Sequence, residues 1–389
     1  MGSSYDIIVV GAGITGAAAA HFLKKKGVPK VLLIDSGDAA YGGTGRSAAI
    51  VRSFYTIPVM ARLACEAVKL FHGLEEEVGS DGGFHATGFT QVFPPDWVDI
   101  AKDKVAMQQK IGIDTGFVPE AEWTGRFPWL NTEGVAAIVF EPKSGYADPV
   151  QTTEAFVNTF VKAGGEFRPR TPVRQLLRDG NAVTGVLLDD GVVSAGGVIN
   201  AAGPWSKFLA QSAGLDLPMV AVREQDTVWE VRGGRPFPTT PVSNGIEATY
   251  MRPMGDGRWL LGRGYPKPYF EVDPYNFKAT ADDDFVGDLF DRWRKRIPPL
   301  EGARLLHAYV ALYDVTPDWI PFMGPRTGIT GYFDASGGSG HAFKTGPIFA
   351  RELVDWIVDN RVCDDYRQFS HDRVAAGRMF KQSLGGNRV

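Results

Sequence analysis

Few folds can accommodate the stretch YDIIVVGAGITGAAAAHFLKKKGVPKVLLID, from Tyr5 to Asp35. Tyr5 to Val10 is a short run rich in Ile and Val, the pattern of a buried parallel strand. Gly11, Gly13 and Gly16 follow in the spacing GxGxxG, and the alanine-rich segment after them reads as a helix ending at Gly27. A second strand, KVLLID, finishes on Asp35. Strand, glycine turn, helix, strand and terminal acid in this order predict a βαβ unit that binds a dinucleotide. Gly11 would permit the tight turn, Gly13 the close approach of a pyrophosphate, and Gly16 the packing of helix on strand. The helix N-terminus would hold the negative charge, and Asp35 the ribose hydroxyls. FAD and NAD both satisfy this motif.

The remainder of the chain narrows the class by exclusion. With 389 residues, two lobes are expected rather than one small core. A net charge of −4 with interspersed signs argues against nucleic acid as a partner. Two cysteines far apart, Cys65 and Cys363, argue against a disulfide framework or a zinc site and are expected to be buried or idle thiols. No apolar run approaches the length of a membrane span, and the apolar start lacks a basic leader. A cytoplasmic location is therefore expected.

After Asp35 the chain does not continue into another helix–strand unit. It reads SGDAAYGGTGRSAAIVRSFY, a small-residue loop carrying Arg46 and Arg52, then a helix expected from about Ile57 to Glu77. Four later stretches belong with it: GYADPVQTTEAFVNTFVKAGGEF from Gly145, GGVINAAGPWSKFLA, VREQDTV with Arg223 and Gln225, and LYDVTPDWIPFMGP followed by ASGGSGHAFKTGP. As a set, over about 5–80, 140–230 and 305–360, they resemble the D-amino-acid oxidase superfamily of FAD-dependent oxidoreductases. The closest likeness is to its sarcosine oxidase and dimethylglycine dehydrogenase branch.

The resemblance implies an α/β protein: a Rossmann-type FAD-binding domain over 1–85, 144–217 and 305–389, and a discontinuous α+β substrate domain with an antiparallel sheet over 86–143 and 218–304. The runs TGFTQVF, EQDTVWEV and TYMRPMGDGRWLLGRGY read as strands of that sheet, with hairpin turns in WEVRGGRP and PMGDGRW. The stretch ATADDDFVGDLFDRWRKRIPPL reads as an amphipathic helix stopped by Pro298.

The likeness also implies residue roles. FAD would contact Gly11, Gly13, Ile14, Thr15, Gly16, Asp35, Ser36, Gly45, Arg46, Ser47, Val173, Ala201, Gly203, Trp205, Gly338, Ser339, Gly340, His341 and Lys344. Arg52 and Lys344 would hold a substrate carboxylate, with Tyr313 reaching the same group. His341 would pack on the flavin rather than act as a base. The D-amino-acid and glycine oxidases place an arginine where Tyr313 stands. The covalently flavinylated sarcosine oxidases carry a cysteine where this chain has Ala311, so FAD is expected to be bound without a covalent bond. Their oxygen-activating lysine should fall within GRWLLGRGYP, which holds none, with Arg263 as the nearest cation. The electron acceptor is thus O2 or another molecule.

The expected activity is hydride removal from a C–H beside nitrogen in a small carboxylate-bearing amine, an N-alkyl amino acid or cyclic imino acid, giving an imine that hydrolyses. Two alternatives stand beside it: a D-amino-acid or 2-hydroxy-acid dehydrogenase, and a flavin-binding subunit of a larger complex.

Overall fold

A computed structural model of the chain describes residues 4–231 and 237–381. The opening strand β1 (Ser4–Val10), helix α1 (Ile14–Lys25) and strand β2 (Val31–Ile34) form the βαβ unit expected from the sequence. β1 lies at the centre of an eight-stranded sheet among the described residues, parallel to β2 on one side and to the strand Gly191–Asn200 on the other. Its position follows from its composition: Ile8 and Val9 are fully buried, one on each face. On one face, α1 packs with the helices Pro149–Lys162 and Ala342–Asp359 in a core that includes Phe22, Phe156 and Leu353. The other face is closed by the antiparallel strands Gln175–Asp179 and Ala182–Leu188 and the helix Ser206–Ser212, around Leu176, Val186 and Leu209.

The second sheet has nine strands among the described residues. Its spine is the strand Val220–Glu230, paired antiparallel with Arg258–Arg263 and with the long strand Arg304–Val315. The sheet is not wholly antiparallel, because Val242–Asn244 runs parallel to Phe89–Phe93. The boundary expected at 304/305 falls at the start of Arg304–Val315, a strand that is hydrogen-bonded throughout into this second sheet. The helix Asp283–Arg296 covers the sheet with Leu289 and Trp293 and ends just before Pro298.

Local signals account for most element ends. Asp148 caps Pro149–Lys162 by accepting from Val150 N and Gln151 N, each at 2.9 Å. The hairpin in PMGDGRW turns through Gly255, Asp256 and Gly257, all with positive φ. The one expected in WEVRGGRP lies largely outside the described residues. The helix expected over 57–77 is two, Pro58–His72 and Leu74–Val78, broken at Gly73. Cys65 is half-buried and Cys363 is exposed, and both thiols are free. Among the described residues no helix is long and apolar enough to cross a membrane.

Candidate active site

The N-terminal turn is as crowded as its glycines suggest. Gly11 has a φ of +107°, and a Cβ there would lie 2.2 Å from the carbonyl oxygen of Ala201. Two strand ends therefore meet backbone to backbone, and no other residue type fits. Gly13 is the N-cap of α1, whose first turn carries no acidic side chain, so its amide dipoles are left to attract an anion. The Asp35 carboxylate accepts from Ala12 N at 2.6 Å and Gly37 N at 2.8 Å, and burial pushes its carboxyl above the usual range. Gly16 does not face the cavity; its Cβ would lie 1.9 Å from Gly11 O, which is the packing role expected of it.

A second glycine turn arrives from the far end of the chain. Asp314, at the end of Arg304–Val315, accepts from Gly337 N at 2.8 Å and Gly338 N at 2.9 Å and pins the turn. A Cβ at Gly340 would lie 2.6 Å from the Tyr313 ring, so Tyr313 is seated against bare backbone. Ser339 is fully buried with its hydroxyl donating back to Gly337 O at 3.0 Å, and it does not line the cavity. His341 caps the helix Ala342–Asp359; its Nδ1 lies 3.1 Å from the Tyr55 hydroxyl. Among the described residues its Nε2 is buried without a partner. Burial, then the Lys344 and Arg52 charges, hold the imidazole well below its ordinary pKa and so neutral.

Between the two turns lies a pair of cations. Arg52 donates to Phe54 O and stacks over Tyr55, 4.7 Å from the ring centroid, and Lys344 Nζ lies 5.5 Å from the same ring. Neither has a carboxylate within ion-pair distance among the described residues. Burial and then the Arg52 charge push the Lys344 pKa well below its ordinary value. Glu141 stands behind them, fully desolvated, with Oε2 accepting from Ser53 N at 2.8 Å and Ser144 Oγ at 2.5 Å and Oε1 unpartnered.

The two turns, Arg52 and Lys344 face one cavity of about 500 Å³ that runs from Gly11 to Lys344. Ile14, Thr15, Ser36, Ser47, Val173, Ala201, Gly203 and Trp205 line it, as do Gly13, Asp35, Arg46, Arg52, Tyr313, Gly338, Gly340 and His341. Gly45 does not; a Cβ there would meet Ala40 O at 2.4 Å, so it closes the loop instead. The Arg46 guanidinium donates to Tyr41 O and Gly42 O of its own loop. Tyr55, Glu141, Asp226 and Tyr250 were not singled out from the sequence, although RSFY directly adjoins Arg52.

The cation expected near GRWLLGRGYP also needs correcting. Arg263 points away, 3.8 Å from Asp288, whereas the residue just past that stretch, Lys267, is ion-paired with Glu224 and lies 6.0 Å from the Tyr313 ring centroid.

The model of the family "FAD dependent oxidoreductase" (DAO) matches residues 6–356. The chain belongs to that family. Among curated relatives, it is 28% identical over 360 residues to 4-methylaminobutanoate oxidase (formaldehyde-forming) of Paenarthrobacter nicotinovorans, covering 90% of this chain and 43% of that protein. It is 25% identical to mitochondrial dimethylglycine dehydrogenase of Mus musculus, covering 91% and 42%. The chain thus spans less than half the length of these relatives. Among solved structures, L-proline dehydrogenase from P. horikoshii shares the fold with a TM-score of 0.89 at 24% identity, covering 98% of this chain and 100% of that one.

FAD fits what the cavity offers. Glycine backbone lies at both turns, an uncompensated helix N-terminus sits at each, and the buried Nε2 of His341 awaits a partner.

Proposed function

We propose that this member of the family oxidises a small carboxylate-bearing amine, an N-alkyl amino acid or cyclic imino acid, with non-covalently bound FAD. The observation that carries this reading is the pair of half-buried Arg52 and buried Lys344, neither ion-paired with a carboxylate among the described residues, facing the same cavity as both glycine turns. A buried ammonium with no partner is costly, and a substrate carboxylate is the group that would relieve the cost. When bound, FAD accepts a hydride from a C–H bond next to nitrogen.

The roles of the chain's own residues follow from their positions. Arg52 offers a planar fork for the carboxylate and Lys344 a point charge beside it. The Tyr55 ring lies beside both heads, and Tyr313 lines the same cavity. His341, held neutral, donates or accepts one hydrogen bond through Nε2 without adding a third charge. The apolar walls around Phe89, Ala311 and Leu312 limit water. Ala311 offers no thiol for a thioether to the flavin.

Anaerobic addition of N-methyl, N,N-dimethyl, cyclic, D- and 2-hydroxy acids to the purified, FAD-loaded protein tests the proposal. Bleaching of the flavin absorption by the N-alkyl or cyclic amino acids is expected. Bleaching by hydroxy acids alone would defeat the amine reading. The rate of recovery when air is readmitted separates O2 from another acceptor.

A further inference from the structure

The second sheet brings a carboxylate to the wall of the cavity that the two cations also line. Asp226 lies on Val220–Glu230, directly across from Gly262 on one neighbouring strand and Tyr309 on the other. It is buried and lines the cavity. Its Oδ1 accepts from the Tyr250 hydroxyl at 2.7 Å, and Tyr309 stands across from it on the neighbouring strand. The arrangement depends on one missing side chain. A Cβ at Gly262 would lie 2.3 Å from Asp226 Oδ1 and 2.2 Å from the Tyr250 ring.

Among the described residues no cation lies within ion-pair distance of Asp226. Glu224, two residues earlier on the same face, takes the nearby Lys267 for itself. The other acids along the cavity, Asp35 and Asp314, are occupied by backbone N–H groups. The cavity thus carries two cations, Arg52 and Lys344, and one carboxylate without an ion-pair partner among the described residues, which complements an amino acid in both its charges.

We propose that Asp226 binds the substrate's ammonium and accepts its proton, so that the amine is neutral when its C–H bond is oxidised. This rests on the amine reading given above. The step balances: an N–H bond of R2NH2+ breaks, an O–H bond forms on the carboxylate, and the electron pair stays on nitrogen as the lone pair that stabilises the departing hydride's carbon. Burial pushes Asp226 up to about 7, against the lowering effects of the Tyr250 hydrogen bond and Lys267. That brings its basicity closer to an amine's than an ordinary carboxylate's would be. Glu224, Tyr250, Arg252, Lys267, Tyr309 and Tyr313 are the titratable or charged groups facing it, and of these Lys267 is committed to Glu224.

Calorimetric titration of the FAD-loaded protein with trimethylglycine and with 3,3-dimethylbutanoate isolates the charge. The two have the same shape and carboxylate and differ only in N+ against C, and neither needs to react. At pH 8 the wild type should bind trimethylglycine at least tenfold tighter. Asp226→Asn should abolish that preference and leave 3,3-dimethylbutanoate within about twofold. A preference that survives the substitution, or equal weakening of both ligands, overturns the proposal. So does a wild type without preference.

Anaerobic flavin reduction by N,N-dimethylglycine supplies the proton arm. Its rate should rise with pH through one ionisation that Tyr250→Phe, by removing a hydrogen bond to the carboxylate, moves upward. An unmoved profile refutes proton acceptance, and this variant serves if Asp226→Asn does not fold. If no amine bleaches the flavin but trimethylglycine is still preferred, the amine-oxidation reading fails while the cation site stands.

Discussion

Lys344 stands in the first turn of the helix Ala342–Asp359, where the helix dipole opposes a positive charge, and Arg52 adds to that opposition. A carboxylate placed between them relieves both. Lys344→Met should therefore weaken carboxylate binding roughly 10- to 100-fold, the range for losing a hydrogen bond to a charged group, and leave FAD retention unchanged. Titration of ligand and flavin separately checks this; a larger loss of flavin would refute the role.

Because the Lys344 pKa is depressed without a ligand and a bound carboxylate raises it, binding should take up protons at pH values between the free and bound pKa. Calorimetry in buffers of different ionisation enthalpy reads the sign, and proton release would contradict it. Gly262→Ala tests the Asp226 wall: its Cβ has no space between Asp226 and Tyr250, and a cost of about 1–3 kcal/mol is expected in urea unfolding. Gly11 and Lys344 could be singled out in sequence because each belongs to a motif contiguous in the chain. Asp226, Tyr250 and Gly262 were not, since their meeting depends on the register of three strands.

At the scale of elements, α1 must be held so that its N-terminus points into the cavity. Part of that restraint is Glu77, which accepts from Lys25 Nζ at 2.6 Å and lies 2.9 Å from His21 Nε2, tying α1 to the helix Leu74–Val78. The His21 hydrogen bond, with Lys25, pulls the Glu77 carboxyl from 4.5 down to about 2. A carboxylate depressed on folding contributes its stability above the unfolded value and loses it as pH falls toward the folded one. Glu77→Gln should accordingly cost roughly 1 kcal/mol near neutral pH, and the difference should vanish between pH 4.5 and 2. Urea midpoints of the two proteins across that window decide it, and a constant difference would refute it. The helices and strands themselves were readable from apolar periodicity, Pro149 and Gly255–Gly257. The parallel pairing of Val242–Asn244 with Phe89–Phe93 was not, because nothing local encodes a partner about 150 residues away.

For the molecule as a whole, the cavity is the seam between two sheets, and FAD would fill it. Ligand at 100 times its Kd adds about 2.7 kcal/mol to folding stability, so FAD should raise the melting temperature by several degrees. NAD should not; thermal scans with each, and a shift produced by NAD instead, would reverse the assignment. The two-lobe architecture was visible from chain length and the scattered family motifs, but the way Arg304–Val315 joins the second sheet was not.

The seam has a further consequence for how the protein is made. Its first wall, at Gly11, and its last, at His341, are separated by about 330 residues. At 5–20 residues per second, a ribosome needs roughly 15–70 s to produce the second wall after the first. Until then the alanine-rich helix and its turn must wait, exposed or chaperoned, and the cofactor can be captured only once that second wall has left the ribosome.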